Sequence, residues 1–227
     1  MNVAPPRRVA DDELALCIAT GASSLALPLD AGQVSRLVAY LRLIERWNET
    51  YNLTSIRDPR AMATQHVLDC LAATAALRRR RAPGDRRQLA DVGSGAGLPG
   101  LVVGIALPDT RVVCIDSVGK KAAFILQAAG TVGARNVAAL HARVEKISKL
   151  EFDVVASRAF ASLAEFVART RHLVSDNGEW MAMKGKAPSD EIAALTDVAA
   201  EVEPLVVPDL AAERCVVWMR PDVSASK

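Results

Sequence analysis

The residues able to do chemistry in this 227-residue chain concentrate in one stretch, Asp91-Val92-Gly93-Ser94-Gly95-Ala96-Gly97-Leu98-Pro99-Gly100. An apolar run precedes it and the helix-compatible run Leu101–Leu107 follows. It therefore reads as a strand-to-helix turn whose glycines let the backbone bend sharply and come close to a ligand. The next apolar run ends in Asp116, some two dozen residues after Gly93, where a carboxylate can accept hydrogen bonds from both hydroxyls of a ribose. Two nucleoside ligands fit such a pattern. Gly95-x-Gly97-x-x-Gly100 can be laid on the dinucleotide fingerprint of a nicotinamide-dependent oxidoreductase. Its first glycine then falls one or two positions late, and Asp91, two residues before Gly93, would repel a pyrophosphate. A cationic, phosphate-free nucleoside suits Asp91 better. S-adenosylmethionine, with an ammonium and a sulfonium, is such a molecule, so the electrostatics favour a methyl donor.

The elements that must position these residues follow from periodicity. Strands are predicted at Gln88–Val92, Arg111–Asp116, Val137–Leu140, Phe152–Ser157, Glu179–Lys184, Val202–Val207 and Cys215–Arg220, with helical patterns in most of the gaps between the first five. That alternation predicts an α/β fold, a doubly wound, seven-stranded, mostly parallel sheet of Rossmann-like type. Pro208 to Arg214 is too short for a crossover, so the last two strands are expected to pair antiparallel at one edge. Upstream, Val34, Leu37, Val38, Leu41 and Ile44 form one helical stripe that ends near Trp47–Leu53. Asp58-Pro59 reads as an N-cap with proline at the first helical position of a helix that turns Met62, Val67, Cys70 and Leu71 inward. The stretch Arg78–Arg87 holds six arginines in ten residues. It reads as a solvated, mobile linker that could touch nucleic acid. The expected organisation is an N-terminal tail, helical extension and arginine-rich linker over 1–87, then a nucleoside-binding core over 88–227 as one compact unit.

Several segments together resemble one family. Asp-x-Gly-x-Gly-x-Gly followed by an acidic strand end is similar to class I S-adenosylmethionine-dependent methyltransferases. Trp47-Asn48-Glu49-Thr50-Tyr51-Asn52-Leu53-Thr54-Ser55, His66-Val67-Leu68-Asp69, Gly93–Gly100, Asp116-Ser117-Val118-Gly119-Lys120-Lys121, Ser157-Arg158-Ala159-Phe160-Ala161-Ser162 and Met183-Lys184-Gly185 resemble the RsmG family, also called glucose-inhibited division protein B. The resemblance implies transfer of a methyl group to N7 of a guanine in 16S ribosomal RNA. It also implies a donor site using Gly93, Leu98, Val144, Glu145 and Arg158, with Asp116 holding the ribose by superfamily analogy and Asp91 and Gly95 completing the loop. Spacing alone reads Val144-Glu145 as an ordinary helix turn.

Basic residues follow four strand ends: Lys120 and Lys121, Arg143, Arg158, and Lys184 with Lys186. Ligands of open α/β sheets lie beyond those ends, so a chain of net charge only +2 gathers cations where an RNA phosphate backbone would run. Arg158 is the candidate anchor between donor and RNA. Trp47, Tyr51 and Phe160 could stack on bases, although Trp47 and Tyr51 fit the core better. The purine N7 carries a free lone pair and no proton, so no general base is required, and no catalytic group is assigned. His66, His141 and His172 are read as structural or exposed. Arginine outnumbers lysine 21 to 7, which suits phosphate recognition or a GC-rich genome equally. His66 and Cys70 have metal-ligand spacing but no third partner, so no metal is expected. No apolar run reaches the roughly 18 residues of a membrane span, Met1–Glu13 lacks a signal-peptide core, and the four cysteines lie far apart. The expected setting is a cytoplasmic monomer acting on 16S ribosomal RNA or a small-subunit particle. A methyltransferase of small molecules or proteins is the alternative.

Overall fold

The computed structural model describes residues 9–80, 87–158, 160 and 162–222. Its seven strands are β1 (Gln88–Val92), β2 (Arg111–Asp116), β3 (Val137–His141), β4 (Phe152–Ser157), β5 (Val174–Lys184), β6 (Val198–Leu205) and β7 (Arg214–Pro221). They form one sheet in the order β3-β2-β1-β4-β5-β7-β6. β1 to β5 run parallel, and β7 is antiparallel to both of its neighbours. The last two strands pair antiparallel as expected, but β7 inserts beside β5, so only β6 takes the edge. β5 begins five residues before its predicted start. Ser175-Asp176-Asn177-Gly178 has turn composition, yet Val174 pairs with Phe152 across a register shift, and a Cβ at Gly178 would lie 2.9 Å from the Phe152 carbonyl oxygen.

The helices are α1 (Asp11–Ser24), α2 (Ala31–Tyr51), α3 (Pro59–Met62), α4 (Asp69–Arg79), α5 (Gly100–Ala106), α6 (Gly119–Val132), α7 (Leu163–Thr170) and α8 (Ser189–Ala193). Asp58 caps α3 through the Ala61 amide, as its Asp-Pro signature predicts. A π-helical segment, Ala63–Leu68, joins α3 to α4. Nothing in the periodicity marks it, because the inward residues Met62, Val67, Cys70 and Leu71 remain buried. Between β3 and β4 there is only a 3-10 turn, Val144–Lys146.

Alternation along the strands divides the core. Leu89, Val154, Met181, Met183, Val216 and Trp218 pack with the N-terminal helices, α5 and α6. Ala90, Val92, Val155, Trp180, Val217 and Met219 pack with α7 and the short turns of the other face. The N-terminal helices thus form one covering layer of the sheet. α2 carries a capping box between Asp30 and Gln33, and the Gln33 amide also donates to the Ile105 and Ala106 carbonyls at the end of α5.

Residues 81–86 of the arginine-rich linker lie outside the described residues, but its ends are fixed. Glu179, 2% exposed, meets Arg80 Nε at 3.3 Å, Arg87 Nη1 at 3.2 Å and Arg220 Nη2 at 3.1 Å. Arg79 pairs with Glu203 and Arg80 also with Glu201, and the Arg80 guanidinium lies 4.6 Å from the Trp218 ring centroid. Arg78 donates to the Ala26 carbonyl. The described linker arginines are therefore held in structural contacts, a departure from the solvated reading with a plain electrostatic cause. A buried carboxylate must be paired. Glu179→Ala leaves half-buried guanidinium groups without their counter-charge and is expected to cost about 3 kcal/mol. The readout is a lower urea midpoint at unchanged slope, and an unaltered midpoint would show that the cluster contributes nothing.

Candidate active site

The glycine loop joins β1 to α5 through a chain of internal hydrogen bonds. Gly93, Gly95 and Gly97 have φ of 72°, 58° and 85°, the left-handed region that favours glycine. The Gly93 and Ser94 amides donate to Ile115 O, the Gly97 and Leu98 amides to Ser94 O, and Gly95 N–H to Asp116 Oδ2 at 2.9 Å. Asp91 is fully buried. Its Oδ2 accepts Gly100 N–H at 2.8 Å, capping the first turn of α5, while Oδ1 is buried without a hydrogen-bond partner. Burial pushes this carboxyl up to about 7, against the lowering effect of the Gly100 amide. The amides of Gly93, Ser94, Gly95, Gly97, Leu98 and Gly100 are thus spent internally, and a carboxyl group already occupies the helix end. This geometry disfavours the dinucleotide reading for a reason that the sequence could only suggest.

The buried Tyr40 of α2 supports the same loop, its hydroxyl donating to Ala96 O at 2.6 Å. Nothing singled out Tyr40 beforehand. The available signal was its place at helical spacing between Leu37 and Ile44 of an otherwise aliphatic stripe.

A cleft of about 410 Å³ opens beyond the carboxyl ends of β1, β2 and β3. Of the expected donor-site residues it brings together Gly93, Asp116, Val144 and Glu145, with Lys121 and Arg143 at its rim. Asp116 Oδ1 also accepts Val118 N–H at 2.8 Å, which fixes the carboxylate while each oxygen keeps a second lone pair. Ser117, Val118, Phe160 and Arg169 complete the walls. Arg169 was not foreseen, because it reaches the cleft from α7, where it pairs with Glu145 at 2.7 Å and Glu165 at 2.8 Å. The Glu145 carboxyl is held below its ordinary range, chiefly by its own backbone amide and also by Arg169. His141 and His172 brace the walls, their Nε2 atoms 3.2 Å from Ser117 O and Val144 O. Asp91 is buried beneath the loop, Gly95 is part-exposed but not among the residues lining the cleft, and Leu98 belongs to the core.

Arg158 lies in a neighbouring hollow of about 280 Å³ with His66, Asp69, Lys184 and Arg214. Phe160 borders the cleft, and with Arg158 it lines the narrow gap between the two spaces. Arg158 is loosely held, 3.6 Å from Asp69 Oδ2 and 3.3 Å from Gln65 O, whereas Asp69 also takes Arg214 at 3.0 Å. His66 Nδ1 faces Gln65 O at 3.2 Å, so Nδ1 carries the proton and Nε2 accepts from the Thr54 hydroxyl at 2.9 Å. Burial, reinforced by Arg158, lowers the imidazole to about 4, and it stays neutral beside the guanidinium. Asn48 Oδ1 accepts the Thr54 amide, so the Asn48–Thr54 motif serves to hold His66. Lys184 is paired with Glu191 at 2.9 Å. Lys120, Lys121, Arg143 and Lys186 enter no ion pair among the described residues, where no group of three or more metal-ligating side chains occurs either.

Comparison with known proteins gives a consistent result. Residues 33–216 match the family described as rRNA small subunit methyltransferase G. The chain is 50% identical over 222 residues to "Ribosomal RNA small subunit methyltransferase G" of Acidovorax ebreus, covering 94% of this chain and 98% of that protein. With the protein of the same name from Bordetella pertussis the identity is 47%, over 89% and 91% of the two chains. Among solved structures, a ribosomal protein L11 methylase from Lactobacillus delbrueckii superposes with a TM-score of 0.53 at 14% identity, over 66% of this chain and 77% of that one. TrmN from Thermus thermophilus gives 0.53 at 17%, over 70% and 53%. These structures share the fold.

The raised carboxyl of Asp91 has a consequence for stability. The folded state binds its proton more tightly than the unfolded chain does. Its contribution is therefore complete below about pH 4 and is lost as pH rises through about 7. Asn at position 91 can still accept from Gly100 but does not titrate. The stability of wild type relative to Asp91→Asn is expected to fall by a few kcal/mol between pH 4 and pH 8 in denaturant titrations. A gap independent of pH would refute the buried, ionisable role.

Proposed function

The chain belongs to the rRNA small subunit methyltransferase G family, and on that premise we propose that it transfers the methyl group of S-adenosylmethionine to N7 of a guanine in 16S ribosomal RNA. The observation that carries the donor half of this reading is the internally closed glycine loop beside Asp116. A loop that engages its own amides offers few donors to a phosphate, which suits a phosphate-free nucleoside. The residues present fit the donor. Asp116 has lone pairs left for ribose hydroxyls, Val118 and Val144 offer apolar walls for a base, and Asp91 leaves one carboxyl oxygen without a partner behind the loop. Arg158, with its two long contacts, is suited to a carboxylate.

The bound donor would supply a methyl group already activated on a sulfonium. The chain's own residues then have to orient, desolvate and stabilise. Guanine N7 needs no deprotonation, which agrees with a site whose histidines are all engaged with backbone or hydroxyl groups. A cation cannot assist a purine that itself becomes cationic, so Arg158 acts as an anchor, and the neutral His66 beside it adds no further positive charge. Lys121 and Arg143 at the rim, together with Lys120 and Lys186, enter no ion pair among the described residues and suit an RNA backbone, with binding that weakens as salt rises. Lys184, tied to Glu191, is the less available candidate. No helix among the described residues is long and apolar enough to cross a membrane. A cytoplasmic monomer working on ribosomal RNA or a small-subunit particle agrees with this reading.

Incubation with radiolabelled donor and 16S ribosomal RNA from cells lacking the enzyme is expected to yield label in 7-methylguanosine after digestion to nucleosides. Asp116→Ala removes the acceptor that fixes both Gly95 and Val118, and Gly95→Asp adds a carboxylate beside it. Each is expected to weaken S-adenosylhomocysteine binding at least about tenfold by calorimetry. Label in another nucleoside would overturn the assigned acceptor, and unweakened binding by both variants would overturn the donor site.

A further inference from the structure

We propose that Tyr51 and Lys120 form a stacking seat for a nucleobase flanking the methylated guanine, an inference that rests on the RNA reading above. On sequence Tyr51 fits the core better than a stacking role, yet it ends α2 with 45% of its surface exposed. It is the outermost ring of an aromatic column. Phe124 of α6 is fully buried, Trp47 meets it edge-on at 5.2 Å, and Tyr51 lies 4.9 Å beyond Trp47. Every other aromatic side chain of the chain is at least half-buried or fully enclosed. A rigid ring supported from the core and open outward is what sequence-tolerant base stacking requires.

The electrostatic setting points to a nucleic acid. The Lys120 ammonium lies 5.3 Å from the Tyr51 ring centroid, and its neighbour Lys121 lines the donor cleft. An arriving base can take the place of the ammonium over the ring while Lys120 turns to the adjoining phosphate, so a cation–π contact gives way to a stack and an ion pair. Tyr51 also lies at one end of a short segment whose other end, Ile56, borders the hollow holding Arg158. That segment is braced by Asn52, which accepts from Arg57, and by Thr54 on His66. A strand seated on Tyr51 would therefore run along this segment towards the space beside the donor.

The test uses full-length Tyr51→Leu, Tyr51→Phe and Lys120→Gln proteins with 16S ribosomal RNA. Leu keeps the apolar contact with Trp47 but loses the flat face. Tyr51→Leu is expected to raise the KM for RNA about tenfold, with the loss on KM rather than kcat and S-adenosylhomocysteine affinity unchanged. Tyr51→Phe should restore the wild-type KM, and Lys120→Gln should reduce the salt slope of RNA binding by about one. Trp180 and Trp218 are buried, so quenching of tryptophan fluorescence by a single-stranded oligoribonucleotide reports on Trp47, and Tyr51→Leu should abolish it. A wild-type KM in Tyr51→Leu, or equal damage in Tyr51→Phe, would overturn the seat. If wild type methylates no RNA, the functional reading falls, and the quenching titration alone decides the seat: absence of quenching rejects it.

Discussion

A single carboxylate-to-amide contact, Asp91 to Gly100, governs the site. It ties the end of the central strand to the first turn of the helix that follows, across a loop that must reverse the chain. The contact leaves no room at the helix start, because a Cβ on Gly100 would lie 2.6 Å from Cys114 Sγ and 2.9 Å from Asp91 Cβ. With that junction closed, the intervening glycines turn left-handed and most of the loop amides find partners within the protein. What lines the cleft beside the loop is the backbone of Gly93 and the nearly buried Asp116 carboxylate.

The N-terminal helices secure this arrangement from outside the sheet. Tyr40 and Gln33 bond to carbonyls of the loop and of the helix end, which no strand can reach, and Asn48 and Thr54 hold His66. Each such bond contributes on the order of 1 kcal/mol, but their larger effect is to fix orientation. The helices belong to the covering layer of the sheet, so the loop and the cleft beside it rest on one packed core.

The sheet was legible because short apolar runs bounded by turn residues are strong signals, and all seven strands fall where those runs lie. The strand starts that were hidden follow from local composition. Ser175–Gly178 is polar enough to pass for a turn, and the edge strand β6 alternates with glutamates that pair with arginines and Trp218. The candidate site was legible where backbone chemistry dictates residue type, at the glycines and Asp116. It was opaque where a side chain's direction decides. Asp91 lies buried beneath the loop, Tyr51 escapes the core at the last turn of its helix, and Arg169 arrives from an element far along the chain. Arg158 keeps company with Asp69, nearly ninety residues away, a juxtaposition no local pattern encodes.

The arginine clamp around Glu179 has a practical side. Glu179 aligns with Val154 near the amino ends of the parallel strands, whereas the cleft opens at their carboxyl ends. Arg80 and Arg87, which bracket the segment between them, are both secured at that distal pole. The clamp is thus remote from the ligand-facing end of the sheet, which makes that pole the natural side on which to attach a fluorophore, an affinity handle or a surface tether in single-molecule work on the enzyme.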